Sequence, residues 1–187
     1  MPRPPLVTAD DLMAMGEDDR YELVDGVLVP MSPPPGPRHG YVGLTLGIKA
    51  GGFVRAHRLG WTFAAETGFR LRRDPDTVRG PDFAFVARGR ITPEMDLNRY
   101  LDLAPDLVAE VVSPSDRARD VAAKVRDYLA TGVRIVWVIN MRARTVAVHR
   151  PGRDVRILQE ADELSGEDVL PGFSCPVAEL FADPETA

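Results

Sequence analysis

Two carboxylates stand where strand-forming sequence favours apolar side chains. Asp82 opens the run FAFV, and Glu110 interrupts LVAEVV. A carboxylate inside a buried run costs several kcal/mol unless it is paired or coordinates a cation. An arginine could satisfy Glu110, and Pro81-Asp82 at a strand start could simply cap a turn. A third residue bears on the choice. Lys124 lies in a stretch where steps of 100° gather Ala118, Val121, Ala122, Val125, Tyr128 and Leu129 into one apolar arc. Arg119, Asp120, Arg126 and Asp127 fall on the opposite side. Lys124 sits at the edge of the arc, about 40° from Tyr128, so it borders the core. There it either covers apolar surface with its stem or approaches Glu110 from above the sheet.

An Asp, a Glu and a Lys brought together have a definite chemistry. A hard divalent cation such as Mg²⁺ or Mn²⁺ takes one or two carboxylates, waters and a substrate phosphate oxygen. It lowers the pKa of bound water, while a lysine orients the nucleophile or stabilises developing charge. Of 23 basic residues only Lys49 and Lys124 are lysines, so a lysine is less generic surface filler here.

The net charge of −5 over 187 residues argues against a general nucleic-acid binder. Cys175 stands alone, which excludes an internal disulfide and a cysteine-based zinc site. The longest mostly apolar run, Ile135 to Ile139, is too short to span a membrane. The start MPRPPLVTADD has no signal-peptide pattern, so a cytoplasmic, bacterial-type protein is expected. A GxSxG elbow, a P-loop and a Rossmann glycine pattern are all missing.

The elements that would position the three residues follow from periodicity. Thr8 to Met15 reads as a capped helix. Asp25-Gly26 between apolar runs predicts a hairpin of Arg20–Val24 and Val27–Met31. Gly40 to about His57 has one apolar face, weakened by Gly43, Gly47, Gly51 and Gly52, which suggest close packing against a neighbour. WTFAAETGFRLRR reads as one strand and PDFAFVAR as another, with DPDTVRG a loop between them. Leu107 to Val112 is a doubly buried strand. Ser115 or Asp116 caps a helix to about Ala130, and VRIVWVIN follows as a strand, giving a parallel βαβ crossover. TVAVHR and VRILQ extend the sheet antiparallel, and PVAELFA closes as a short helix. The expectation is one α/β domain over residues 1–187 with a mixed sheet.

Pro81-Asp82, Glu110 and Lys124 together resemble the PD-(D/E)XK nuclease superfamily, with Val112 where its lysine usually stands and Lys124 as a lysine supplied from the following helix. YELVDGVLVPMSPPPGPRHG, RGPDFAFV and APDLVAEVVSPSDRARDVAAKVRDYLATGVRIVWVIN are similar to the Uma-type endonuclease family, from about Tyr21 to Phe181. The resemblance implies a restriction-endonuclease-like core of helix, three antiparallel strands, helix and parallel strand, with the hairpin before it and strands after it. It implies catalytic roles for Asp82, Glu110 and Lys124, with Asp82 and Glu110 as metal ligands for Mg²⁺ or Mn²⁺. Glu22 becomes a further acid near the metal or else a solvated strand residue. His39 is a phosphate or metal-water contact or a helix cap, and Glu66 a neighbour of Asp82 or a surface residue. Ser113 and Ser115 cap the helix. Arg70, Arg72, Arg73 and Arg79, with Arg88 and Arg90, are candidate nucleic-acid contacts or solvated strand ends.

Three functions stay open. One is a metal-dependent endonuclease hydrolysing phosphodiester bonds in DNA, acting as a homodimer in the superfamily's manner. Another is a catalytically degenerate nuclease-fold module that binds nucleic acid or a protein partner, for which Val112 argues. The third is a phosphodiesterase acting on small nucleotides.

Overall fold

The computed structural model describes residues 6–16, 20–113 and 116–185. The cap expected at Ser115 lies outside them. The chain opens with α1 (Ala9–Ala14), whose Thr8 cap and Asp11 form the reciprocal pair expected from TADD. β1 (Tyr21–Val24) and β2 (Val27–Pro30) pair through a two-residue turn, with Asp25 and Gly26 at φ 48° and 74°. Both are left-handed, as the primed hairpin turn requires.

The long helix starts at Pro37, three residues before the expected Gly40. α2 (Pro37–Leu46) continues through one π-helical turn, Gly47–Gly51, into α3 (Gly52–Ala56). Among the described residues only Gly51 of its glycines approaches a neighbour: a Cβ there would meet Thr62 Oγ1 at 3.4 Å, whereas one at Gly43, Gly47 or Gly52 would meet nothing within 4 Å. Close packing therefore explains one glycine and leaves the others without that reason.

The stretch read as one strand is two. Glu66, left-handed at φ 71°, turns the chain between β3 (Gly60–Ala64) and β4 (Phe69–Arg72). The expected loop holds β5 (Thr77–Arg79), a three-residue strand paired to both β4 and β1. It is too short to show an alternation, and Pro75 and Gly80 hide its ends. These strands form a small sheet in the order β2-β1-β5-β4.

The main sheet is built from β3, β6 (Phe83–Ala87), β7 (Leu107–Val112), β8 (Ile135–Asn140), β9 (Thr145–His149) and β10 (Arg156–Leu158), in the order β10-β9-β8-β7-β6-β3. β7 and β8 are parallel, joined over α4 (Ala118–Ala130), and the other neighbours are antiparallel. The expected mixed sheet and the helix, three-strand, helix, strand order are both present. A further hairpin, β11 (Glu163–Ser165) with β12 (Ser174–Pro176), precedes α5 (Val177–Leu180) and had no sequence counterpart.

Strand alternation divides the core. Phe83, Phe85, Leu107, Ala109, Val111, Ile135 and Trp137 pack on the side of α2 and α3. Ala84, Val86, Val108, Val136 and Val138 face the other way, with Val125 and Tyr128 of α4. Glu110, two residues past Val108, belongs to the α4 side.

Candidate active site

Glu110 is 8 % exposed and lies beneath α4. Its Oε2 accepts from Lys124 Nζ at 3.1 Å, and its Oε1 from the Tyr128 hydroxyl at 2.6 Å. Lys124 and Tyr128 are four apart on α4, so both reach one strand residue. Burial pushes the Glu110 carboxyl up to about 7. The Lys124 charge opposes this, and the charges of Asp82 and Glu22 reinforce it. Burial also works against the Lys124 ammonium, but the carboxylates of Glu110 and Glu22 outweigh it and raise its pKa above the ordinary lysine value. Lys124 is thus a fixed cation.

Glu22 is a buried site acid, 6 % exposed, rather than a solvated strand residue. Its Oε1 lies 3.4 Å from Lys124 Nζ and accepts from the Gly80 amide at 3.2 Å, while its Oε2 accepts from Arg79 Nη1 at 2.6 Å. Arg79 also donates from Nε and Nη2 to Asp127 Oδ2. Two expectations are corrected here. Arg79, 5 % exposed and bonded to two acids, cannot serve as a surface phosphate contact. Asp127, on the side of α4 opposite the apolar arc, is half-buried and held by Arg79 of β5 instead of being a free surface acid. Sequence reasoning missed three members of this network: Tyr128, counted as apolar arc, Arg79 and Asp127. The only signal was the phenol hydroxyl, which needs a partner when buried.

Asp82 stands one step beyond the Phe83–Ala109 pair, so the continuing register sets it beside Glu110. Its Oδ2 accepts from the Val111 amide at 2.7 Å and faces His39 Nε2 at 3.5 Å. The hydrogen bond to Asp82 raises the His39 pKa, burial opposes it, and the charges of Asp82 and Asp116 add to the rise. His39 therefore joins the site from the first turn of α2.

The remaining expected residues lie elsewhere. Glu66 is exposed and its carboxylate is paired to Arg20 at 2.6 Å. Arg70 and Arg73 share Asp102, Arg70 also lies 3.8 Å from Asp76, and Arg72 lies 3.2 Å from Asp25, so these three are neutralised locally instead of forming a free cationic face. Arg90 is bound to Asp106. Arg38 and Arg117 are exposed and have no acid partner among the described residues. Ser113 does not provide the N-cap of α4: that position is Arg117, with no side-chain cap.

The donor set fits a hard divalent cation. Above pH 7, where Glu110 ionises, four carboxylates (Glu22, Asp82, Glu110 and Asp127) face the permanent cations Arg79 and Lys124, and His39 beside Asp82 adds positive charge only while it is protonated. Among the described residues no three or more His, Cys, Asp or Glu side chains form a cage of their own. Mg²⁺ needs only one or two carboxylates and keeps several waters.

Residues 9–178 match a family model described as "Uma2: Putative restriction endonuclease". The chain belongs to this family. The Uma2 description makes a nuclease-like, hydrolytic activity the family's expected function. The fold is shared with a crystal structure described as "a putative nuclease belonging to DUF820" from Anabaena variabilis, with a TM-score of 0.79 at 20% identity over 94% of this chain and 97% of that one. No curated protein matches the chain. No helix among the described residues is long and apolar enough to cross a membrane.

Proposed function

We propose that this Uma2 protein is a divalent-metal-dependent endonuclease that hydrolyses phosphodiester bonds in DNA, in the cytoplasm of a bacterium. The observation that carries the reading is the contact of Lys124 with Glu110 at 3.1 Å, beside Asp82, in a family described as nuclease. It favours an enzyme over a degenerate binding module, since the lysine missing at position 112 is supplied from α4.

Asp82 and Glu110 would hold Mg²⁺ or Mn²⁺, which when bound supplies an activated water and offsets phosphate charge. The protein's own groups do the rest. The Val111 amide fixes Asp82. Tyr128 occupies one oxygen of Glu110 and so orients the other. Lys124 holds its proton, so its Nζ stabilises charge on the transferring phosphoryl group and does not abstract a proton. Glu22, anchored by Arg79, keeps that ammonium in place. His39 Nε2, beside Asp82, can pass a proton to or from a water at the mouth of the site.

Plasmid nicking in Mg²⁺ tests the reading. Glu110→Gln and Asp82→Asn are expected to lose about a hundredfold or more in rate. Equal rates in wild type and Glu110→Gln would overturn it.

A further inference from the structure

A groove of about 380 Å³ runs between α2 and the edge strand β3 and ends at Asp82 and His39. One wall is Gly40, Gly43 and Gly47, with Leu44 exposed at the rim. The facing wall is Thr62, Phe63 and Ala64. We propose that this groove is a subsite for one unpaired nucleobase of the substrate strand, whose phosphate lies at the Asp82 end. The proposal rests on the nuclease reading and names the form of nucleic acid that the site takes.

The charge pattern selects the occupant. Among the described residues no lysine or arginine lines the groove, and the ionisable groups that line it, His39 and Asp82, stand at one end. A sugar-phosphate backbone lying along it would find no counter-charge, whereas an uncharged base needs none. The volume lies within the roughly 300–1,000 Å³ of small-molecule sites. A base held in a duplex cannot enter without leaving its stack, so the occupant is unpaired, from a single strand or turned out of a helix.

The glycines supply a second argument. Each costs about 1 kcal/mol of helix stability relative to alanine. At Gly40, Gly43 and Gly47 an added Cβ would meet nothing within 4 Å among the described residues, so packing against those residues does not demand their absence of side chain. Their lack of side chains leaves open space along the groove that ends at Asp82. Leu44, 64 % exposed, leaves apolar surface there for a base to cover.

The test is binding by fluorescence anisotropy, with Ca²⁺ in place of Mg²⁺ to offset the carboxylates, of a labelled thymidine decamer and of an abasic decamer carrying the same phosphates. Wild type is expected to prefer the decamer with bases by about tenfold, the worth of one stacked base. Gly43→Leu fills the groove and is expected to abolish that preference while its Tm stays equal or rises, since leucine is the better helix former. Gly52→Leu, on the same helix but outside the groove, is expected to keep the preference. Persistence of the preference in Gly43→Leu, or no preference in wild type, overturns the subsite. Plasmid nicking by wild type separates the two readings: nicking without base preference removes the subsite alone, and neither nicking nor binding removes both.

Discussion

Lys124 Nζ and Glu110 Oε2 meet at 3.1 Å, joining a helix to the strand that precedes it. On the proposed nuclease reading, the contact accounts for the valine at position 112. Residues 108, 110 and 112 share one face of β7, and Val112 packs with the apolar residues beneath α4. A lysine at 112 would start from the same face. α4 crosses that face and delivers Lys124 to the same carboxylate, so the strand position is free to be apolar.

Removing this ammonium should separate chemistry from folding. Lys124→Ala leaves Glu22 and Glu110 facing each other without the cation between them, a cost of roughly 1–3 kcal/mol in stability. Nicking is expected to fall by about a hundredfold or more. Lys124→Arg keeps the charge and restores the Tm, but its planar fork places charge differently, so the rate remains low. Urea melts and nicking rates on both variants check this; full activity in either would remove Lys124 from the mechanism.

The Glu110 carboxyl gives a pH signature. Its folded pKa of about 7 lies above the ordinary value of 4.5. A raised acid disfavours the folded state once the unfolded chain ionises. The penalty is therefore zero below pH 4.5, grows as pH rises to about 7, and is complete above that. Its size is roughly 3 kcal/mol at most. Glu110→Gln removes it and keeps an acceptor for Tyr128. The Tm of the variant should exceed that of wild type increasingly between pH 4.5 and 7. Added Mg²⁺ at pH 7.5 should narrow the gap by raising wild type alone. Parallel pH curves for the two proteins would contradict the assignment.

Asp82, Glu110 and Lys124 were legible because each breaks a local pattern: two acids inside strands, and a lysine on a helix edge in a chain that otherwise uses arginine. The βαβ unit was legible for a similar reason, since continuous apolar runs and a 3.6-residue period leave few alternatives. Arg79 and Asp127 were not. Their roles depend on how the small sheet docks against α4, and no local period records a contact 48 residues apart. β5 was hidden by its length, three residues between a proline and a glycine. The groove glycines were visible, but a sequence cannot say whether a missing side chain makes room for a neighbour or leaves space.

Arg79 provides a test of that tertiary contribution. It bridges Glu22 and Asp127 while 5 % exposed. Arg79→Met strands two acids, at a cost of roughly 3–5 kcal/mol. Arg79→Lys should recover only part of this, because an ammonium lacks the fork that serves both partners. Urea midpoints ordered wild type, Lys, Met are the expected result. A surface arginine would show three similar midpoints.

His39 reports on Asp82 without requiring activity. The hydrogen bond to Asp82 raises its pKa, against burial, whereas burial alone lowers that of His149. The Cε1–H resonances of the two histidines should therefore titrate on opposite sides of the ordinary value of 6.5. By linkage, the His39–Asp82 contact stabilises the fold fully below pH 6.5 and loses that contribution as pH rises through the higher folded pKa. Asp82→Asn removes the charge and should bring His39 down while leaving His149 in place. Mg²⁺ should act in the same direction, because a cation held by Asp82 competes with the imidazolium for the same carboxylate. A His39 pKa that ignores both the substitution and saturating Mg²⁺ would show that Asp82 neither partners the histidine nor holds the metal.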